Sequence, residues 1–136
     1  MCRTARPDFS LVFPPAPRWV RTAREAVRTA LTAAHREELA DTALLLTSEA
    51  VTNAINACRT SGCSAPVTLH ADWAPGGELQ VLVHDDAPGA PRMGRPYPER
   101  GESGRGLLLI SACATDWGVC QHGPGPGEAV WFRLAR

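Results

Sequence analysis

The sequence contains no lysine, so its 14 basic residues other than histidine are all arginines. A Walker A phosphate loop, a pyridoxal Schiff base and the strand lysine of an ordinary protein kinase each require a lysine. Its absence therefore excludes these three kinds of active site. The 14 acidic residues balance the arginines, so net charge gives no reason to expect nucleic acid or an anionic membrane as a partner.

Long apolar runs are also missing. No run approaches the roughly 18 residues of a membrane helix, and residues 1–10 lack the apolar centre of a signal peptide, so we expect a cytoplasmic protein. The five cysteines are an odd number without a Cys-x-x-Cys pair, which favours reduced thiols over a disulfide framework or a zinc site. With 136 residues, 44% of them hydrophobic, the chain has the size of one domain. We expect a flexible N-terminus over residues 1–8 and a single domain over 9–136.

Apolar residues recur with helical or strand spacing over most of the chain. The pattern predicts strands at 9–13, 67–73, 78–84, 116–119 and 129–134, and helices at 18–34, 37–58 and 107–113. The stretch 87–104 is rich in Pro, Gly and Arg and is typical of a lid or binding loop. This order predicts an α+β two-layer sandwich, with a mixed, mostly antiparallel sheet covered on one face by helices.

The second predicted helix carries polar residues within an otherwise apolar sequence. Glu49, Asn53 and Asn56 are four and three residues apart, which stacks them on one helix face. A carboxylate and an amide one turn apart offer the oxygen ligands that suit a hydrated magnesium ion. Taken alone, a solvated polar stripe is the simpler interpretation.

Two further motifs follow along the chain. Asp85 stands near the end of a predicted strand, before a turn of small residues, where its carboxylate could accept a hydrogen bond from an exocyclic amine; an ordinary Asp-rich turn is the alternative. Gly104 and Gly106 come directly before an apolar helix, so backbone N–H groups could close on an anion, although a flexible surface loop explains them equally well. Arginines in or beside the loop could add contacts to phosphate; these are Arg92, Arg95, Arg100 and Arg105.

In this order, the three motifs resemble the N box and the two glycine boxes of the GHKL ATPase superfamily, whose members share the Bergerat ATP-binding fold. The resemblance covers roughly residues 9–135. Within the superfamily, the segments 48–55, 102–110 and 130–132 are most similar to bacterial anti-sigma-factor serine kinases. The resemblance therefore implies a regulatory serine/threonine-protein kinase that binds ATP and magnesium.

The resemblance also implies a role for each motif position. Asn53 would hold the magnesium ion, and Glu49 would be the general base toward an acceptor serine. Asp85 would receive the adenine amino group above a turn shaped by Gly89. The phosphate-binding positions would be Gly104, Arg105 and Gly106, with Leu107 at the start of the helix behind them.

The implied function is to sequester a sigma factor, to phosphorylate a serine of an antagonist protein, or both, as a possible homodimer. Two alternatives stay open, namely a non-catalytic ATP-binding regulatory module and a detached histidine-kinase catalytic domain. The first is favoured by three departures from the family pattern: Ala87 replaces a glycine of the first glycine box, Ala57 a histidine after the N box, and Ala129 a threonine near the adenine. Against the second, no helix pair with a phosphoacceptor histidine precedes the domain.

Overall fold

The computed structural model describes residues 8–88, 101–121 and 127–135. Its strands are β1 (Phe9–Phe13), β2 (Val67–Trp73), β3 (Leu79–Asp85), β4 (Asp116–Gln121) and β5 (Glu128–Leu134). Its helices are α1 (Trp19–Ala33), α2 (Ala40–Ser61), which follows a short 3-10 turn at Glu37–Leu39, and α3 (Gly101–Cys113). The strands form one sheet in the order β1-β2-β3-β5-β4, in which every pairing is antiparallel.

One face of the sheet carries the main apolar core. Successive side chains of a strand point to opposite faces, and Leu69, Val83 and Phe132 belong to the set that is buried in one cluster with the helices. The predicted α+β sandwich, with helices on one face of the sheet, is confirmed. The strand predicted at 9–13 lies at the edge of the sheet, where the prolines that follow it in the sequence are tolerated.

α1 and α2 form most of the helical layer over this face. Ala23, Val27 and Leu31 recur every four residues along α1 and are fully buried, as expected of an amphipathic helix. α2 packs against both α1 and α3. It ends at Gly62, whose φ of 77° suits glycine, while the Cys63 N–H donates to the Cys58 carbonyl at 2.9 Å. The long central helix is thus held in place on both sides.

α3 begins six residues earlier than the sequence pattern predicted. Gly104, Arg105 and Gly106 consequently lie inside a helix and do not form a turn before it. The prediction was wrong because the glycines were interpreted as helix-breaking, although a glycine inside a helix costs only about 1 kcal/mol relative to alanine. Packing offsets this cost, since Leu107 and Ile110 are buried and α3 lies against α2.

The chemical state of the cysteines and the length of the helices can be compared with the expectations from the sequence. Cys58, Cys63 and Cys113 are free thiols, whereas Cys120 is disulfide-bonded, so the expectation of reduced thiols holds for the first three only. Within the described ranges, no helix is long and apolar enough to cross a membrane.

Candidate functional site

The polar stripe of α2 faces the start of α3. A Cβ atom placed on Gly106 would lie 3.2 Å from Oε1 of Glu49, 3.2 Å from Nδ2 of Asn53 and 3.3 Å from Oδ1 of Asn53. These distances are tighter than most carbon contacts, so a side chain at this position would push Glu49 and Asn53 back by a few tenths of an ångström. We call Glu49, Asn53 and Gly106 the α2–α3 cluster.

The Asn53 amide is unusual within this cluster. Its Nδ2 atom is buried and has no hydrogen-bond partner. A buried donor without a partner costs roughly 1–3 kcal/mol, so few such groups persist in folded proteins and each calls for an explanation. A polar ligand seated between α2 and α3 would satisfy the amide.

The α2–α3 cluster offers the donor types that magnesium prefers. The ion binds oxygen ligands, usually takes one or two from protein side chains, and keeps waters or phosphate oxygens for the rest. Asn53 offers an amide oxygen, and the Glu49 carboxylate lies one helical turn away, so the residues fit a magnesium ion that takes a single ligand from the protein. Among the described residues, no group of three or more His, Cys, Asp or Glu could hold a metal, so phosphate and water would have to complete its shell.

Asp85 lies at the carboxyl end of β3 and is only 5% exposed. The Ala87 N–H donates to its Oδ1 at 2.9 Å, which closes a tight turn after the strand. Burial raises the pKa of Asp85 from 3.8 to about 6; the Asp86 charge adds to the rise and the Ala87 hydrogen bond opposes it. Near neutral pH, Asp85 is therefore a buried carboxylate with one oxygen held by the backbone.

Cys58 connects Asp85 to the central helix. Burial raises the pKa of the Cys58 thiol to about 12, and the charge of Asp85 adds to this rise. Cys58 is five residues beyond Asn53, and five residues of helix span about 7.5 Å. α2 therefore runs from the α2–α3 cluster to the neighbourhood of Asp85, so the first two predicted motifs both lie near this helix.

The structure adds a residue that sequence reasoning missed. Glu128, the first residue of β5, is directly opposite Asp85 in the antiparallel pairing and is only 3% exposed. Alternation along β5 places Glu128 on the same face as the buried Val130 and Phe132. The sequence already shows this alternation, because Glu128, Val130 and Phe132 are two residues apart. A carboxylate at the position of a core residue was therefore the signal that could have identified Glu128.

Ala129, which the resemblance places near the adenine, faces the side of the sheet opposite to Asp85. It is buried there with Leu82 and Trp131. Ala129 and Asp85 therefore do not share a face, because a shift of one residue along a strand changes the face.

The remaining predicted positions lie partly outside the described residues. Gly89 and the loop arginines at 92, 95 and 100 are outside them, whereas Gly104 and Arg105 are described only as helical backbone. Leu107 is buried in α3, behind the α2–α3 cluster. An open groove of about 670 Å³ runs along the first half of α1 and shares no residue with this cluster; it is lined by Pro17, Arg18, Val20, Arg21, Arg24 and Glu25.

Comparisons with known proteins agree with this architecture. The chain is 38% identical over 76 residues to the uncharacterized protein SCO4941 of Streptomyces coelicolor, covering 55% of this chain and 70% of that protein. Its fold is similar to a chain in the crystal structure of the SiaB–SiaC complex from Pseudomonas aeruginosa, with a TM-score of 0.68 and 14% identity over 95% of this chain and 90% of the other. A family model for the histidine kinase-like ATPase domain matches residues 13–134, so the chain belongs to this family.

Proposed function

We propose that this chain is a regulatory serine-protein kinase of the anti-sigma-factor type that binds Mg-ATP between α2 and α3. Membership of an ATPase domain family supports ATP binding in general. The observation that carries the proposal for this chain is the α2–α3 cluster, in which a buried amide without a partner lies beside a carboxylate and a glycine backbone. We place this activity in the cytoplasm.

Asn53 and Glu49 divide the work at the phosphate end of the proposed site. Both side chains contact the same point on α3 and lie one helical turn apart. Asn53 would hold the magnesium ion through its amide oxygen, while Glu49 would accept the proton of the acceptor serine hydroxyl. When bound, ATP would supply the phosphoryl group and magnesium would neutralise its negative charge, so the protein would mainly position the reacting groups.

Asp85 forms the base end of the proposed site. Its Oδ1 is held by the Ala87 N–H, which fixes the orientation of the carboxylate and leaves Oδ2 for a donor on the ligand. An exocyclic amine of adenine is such a donor, and the ionised form of Asp85 is the one that accepts it. Gly89, four residues after Asp85 in the sequence, is proposed to shape the floor beneath the base.

The glycines of α3 are proposed to serve the phosphates. Gly101, Gly104 and Gly106 all lie in the first two turns of this helix, and each lowers its local stability by about 1 kcal/mol. A segment of this kind can rearrange at low cost, so that backbone N–H groups of Gly104, Arg105 and Gly106 approach the phosphates while Leu107 anchors the helix in the core.

The partner is proposed to be a sigma factor, an antagonist protein that carries the acceptor serine, or both. The structural relative comes from a complex of two proteins, SiaB and SiaC, which agrees with a role in binding another protein. A second copy of this chain is a further proposed partner. A non-catalytic ATP-binding module is the alternative, and the transfer reaction separates the two.

Transfer of label from radioactive ATP to an antagonist protein encoded beside this chain tests the kinase step. Wild-type protein should label a serine of that antagonist, and Glu49→Gln should slow the transfer by about 10²–10⁴-fold because a general base is lost. Glu25→Gln, an exposed change on α1, is the matched control and should transfer at the wild-type rate. ATP binding without transfer in the wild type would leave the non-catalytic module as the function.

A further inference from the structure

Two free thiols lie at the carboxyl end of α2. Cys58 is in the last turn of the helix, and Cys63 follows Gly62, the glycine that caps it. Free thiols are typical of a reducing compartment, where disulfides form in response to an oxidant. Neither thiol has a role in the Mg-ATP site proposed above.

The helix cap brings these two side chains together. Gly62 is in the left-handed conformation and the Cys63 N–H donates to the Cys58 carbonyl at 2.9 Å, which is the long bond of a Schellman motif. In this motif, the side chains of the two bonded residues frequently contact each other. They do so here, since burial is the main cause of the raised pKa of Cys58 and a hydrogen bond with the Cys63 side chain is a further cause.

The spacing of the backbone also suits a disulfide. Standard bond lengths and the 2.9 Å hydrogen bond place the Cα atoms of Cys58 and Cys63 less than about 7 Å apart. Disulfides usually join residues whose Cα atoms are about 4.4–6.8 Å apart. The existing cap therefore brings the two cysteines within reach of a disulfide bond.

The two thiols differ in their access to solvent. Cys58 is fully buried, and burial raises its pKa to about 12, so it keeps its proton at neutral pH. Cys63 is only partly buried, and its neighbours Gly62 and Ser64 are exposed. A small oxidant in solution therefore reaches the Cys63 sulfur first.

We propose that Cys58 and Cys63 form an oxidisable dithiol, which a peroxide converts to a disulfide. The Cys63 sulfur attacks one peroxide oxygen and the O–O bond breaks; Cys63 becomes a sulfenic acid, and its proton leaves with the other oxygen as water or an alcohol. The Cys58 sulfur then attacks the Cys63 sulfur, an S–S bond forms, and the Cys58 proton leaves with the hydroxide as water. The dithiol thus gives up two electrons, which reduce the peroxide.

Oxidation of this dithiol would also change the surroundings of Asp85, and this part of the inference rests on the proposed function. Cys58 lies close enough to Asp85 for the carboxylate charge to add to the effect of burial on the Cys58 pKa. In the disulfide, the Cys58 sulfur has no proton and is drawn toward Cys63. The packing around Asp85 therefore changes, and the oxidised protein should bind ATP more weakly.

Peptide mapping after peroxide treatment tests the disulfide. Trypsin cleaves after arginine, so it separates residues 37–59, whose only cysteine is Cys58, from residues 60–92, whose only cysteine is Cys63. Treated wild-type protein should yield these two peptides joined, with the mass of two hydrogens lost, and a thiol reductant should release them. Cys63→Ser should yield no joined peptide. Cys113→Ser, which removes an exposed free thiol of α3, is the matched control and should yield as much as the wild type.

A second variant tests the order of the two steps. Without Cys58, the sulfenic acid has no thiol beside it, so Cys58→Ala should leave Cys63 in a form that dimedone labels after peroxide treatment. If Cys58 and Cys63 both stayed thiols under conditions that oxidise Cys113, the proposed dithiol would be overturned.

Titration of a fluorescent ATP analogue with magnesium, before and after peroxide treatment, tests the link to Asp85. Wild-type affinity should fall by about fivefold or more on oxidation, as expected of coupled sites, whereas the affinity of Cys63→Ser should not respond. A disulfide that left ATP affinity unchanged would overturn this link. If the wild type bound no nucleotide in either state, the proposed function and the link would both fail, while peptide mapping would still decide whether the dithiol forms its disulfide.

Discussion

At the scale of single residues, the proposed site depends on where a few polar side chains lie relative to the core. Glu49, Asn53 and Asp85 could be found from the sequence because each interrupts an apolar pattern in an element of clear type. Glu128 was missed although it interrupts a pattern in the same way. Glu128 becomes notable only because it lies opposite Asp85. The pairing of β3 with β5 joins segments more than 40 residues apart, and local periodicity in the sequence does not predict such a pairing.

Asp85 gives the first prediction at this scale. Its folded-state pKa of about 6 lies above the ordinary 3.8, so the folded protein binds this proton more tightly than the unfolded chain does. The resulting stabilisation is fully present below about pH 4 and is lost as the pH rises toward 6 and above. Asp85→Asn removes this loss and should raise the free energy of unfolding at pH 7 by about 1–3 kcal/mol.

Urea unfolding between about pH 4 and 8 measures this effect, with the exposed Asp8→Asn as control. The same Asp85→Asn variant should bind ATP about 10–100-fold more weakly, because a charge-assisted hydrogen bond to the base becomes a neutral one. If Asp85→Asn were less stable than the wild type at pH 7, the Asp85 charge would have to be compensated in the folded state, and the prediction would be contradicted.

At the scale of elements, the sequence predicted most strands and helices to within a few residues. The 3.6-residue period is strong in α1 and α2 and the two-residue period in β2, because each of these elements buries one side against the core. The start of α3 was mispredicted because its first turns contain glycines, whose conformation is decided by packing on α2. The position of a helix end is a tertiary property here, since the first turns of α3 lie against α2, where a side chain on Gly106 would crowd Asn53 and Glu49.

Gly106→Ala tests the proposed role of this contact. Alanine gains about 1 kcal/mol of helix propensity over glycine, but its Cβ would crowd Glu49 and Asn53 at 3.2 Å, so the free energy of unfolding should change by less than about 1–2 kcal/mol. ATP affinity should fall by at least about tenfold, because the methyl group occupies space needed by the metal and phosphates. Binding and urea unfolding are measured together.

Gly76→Ala in the β2–β3 turn is the control for this substitution, since a Cβ atom there would have no neighbour within 4 Å. That variant should bind ATP like the wild type. If Gly106→Ala also retained wild-type affinity at unchanged stability, the nucleotide would have to lie away from the α2–α3 contact.

At the scale of the whole molecule, the fold brings together motifs that are far apart in sequence. α2 crosses the sheet so that its polar stripe meets α3 while its buried end, near Cys58, comes close to Asp85 at the end of β3. The class of fold followed from the order of elements, but the strand order β1-β2-β3-β5-β4 did not, because β5 enters between β3 and β4. That insertion is what places Glu128 opposite Asp85.

Calorimetric titration of ATP, with and without magnesium, tests the central claim most directly. Wild-type protein should bind ATP with an affinity that rises with magnesium, and Asn53→Ala should lower the magnesium-dependent affinity by at least about tenfold through loss of a ligand to the metal. Glu25→Gln, on the exposed face of α1, is the control and should bind like the wild type. Equal ATP affinity of wild type and Asn53→Ala in the presence of magnesium would contradict the proposed site.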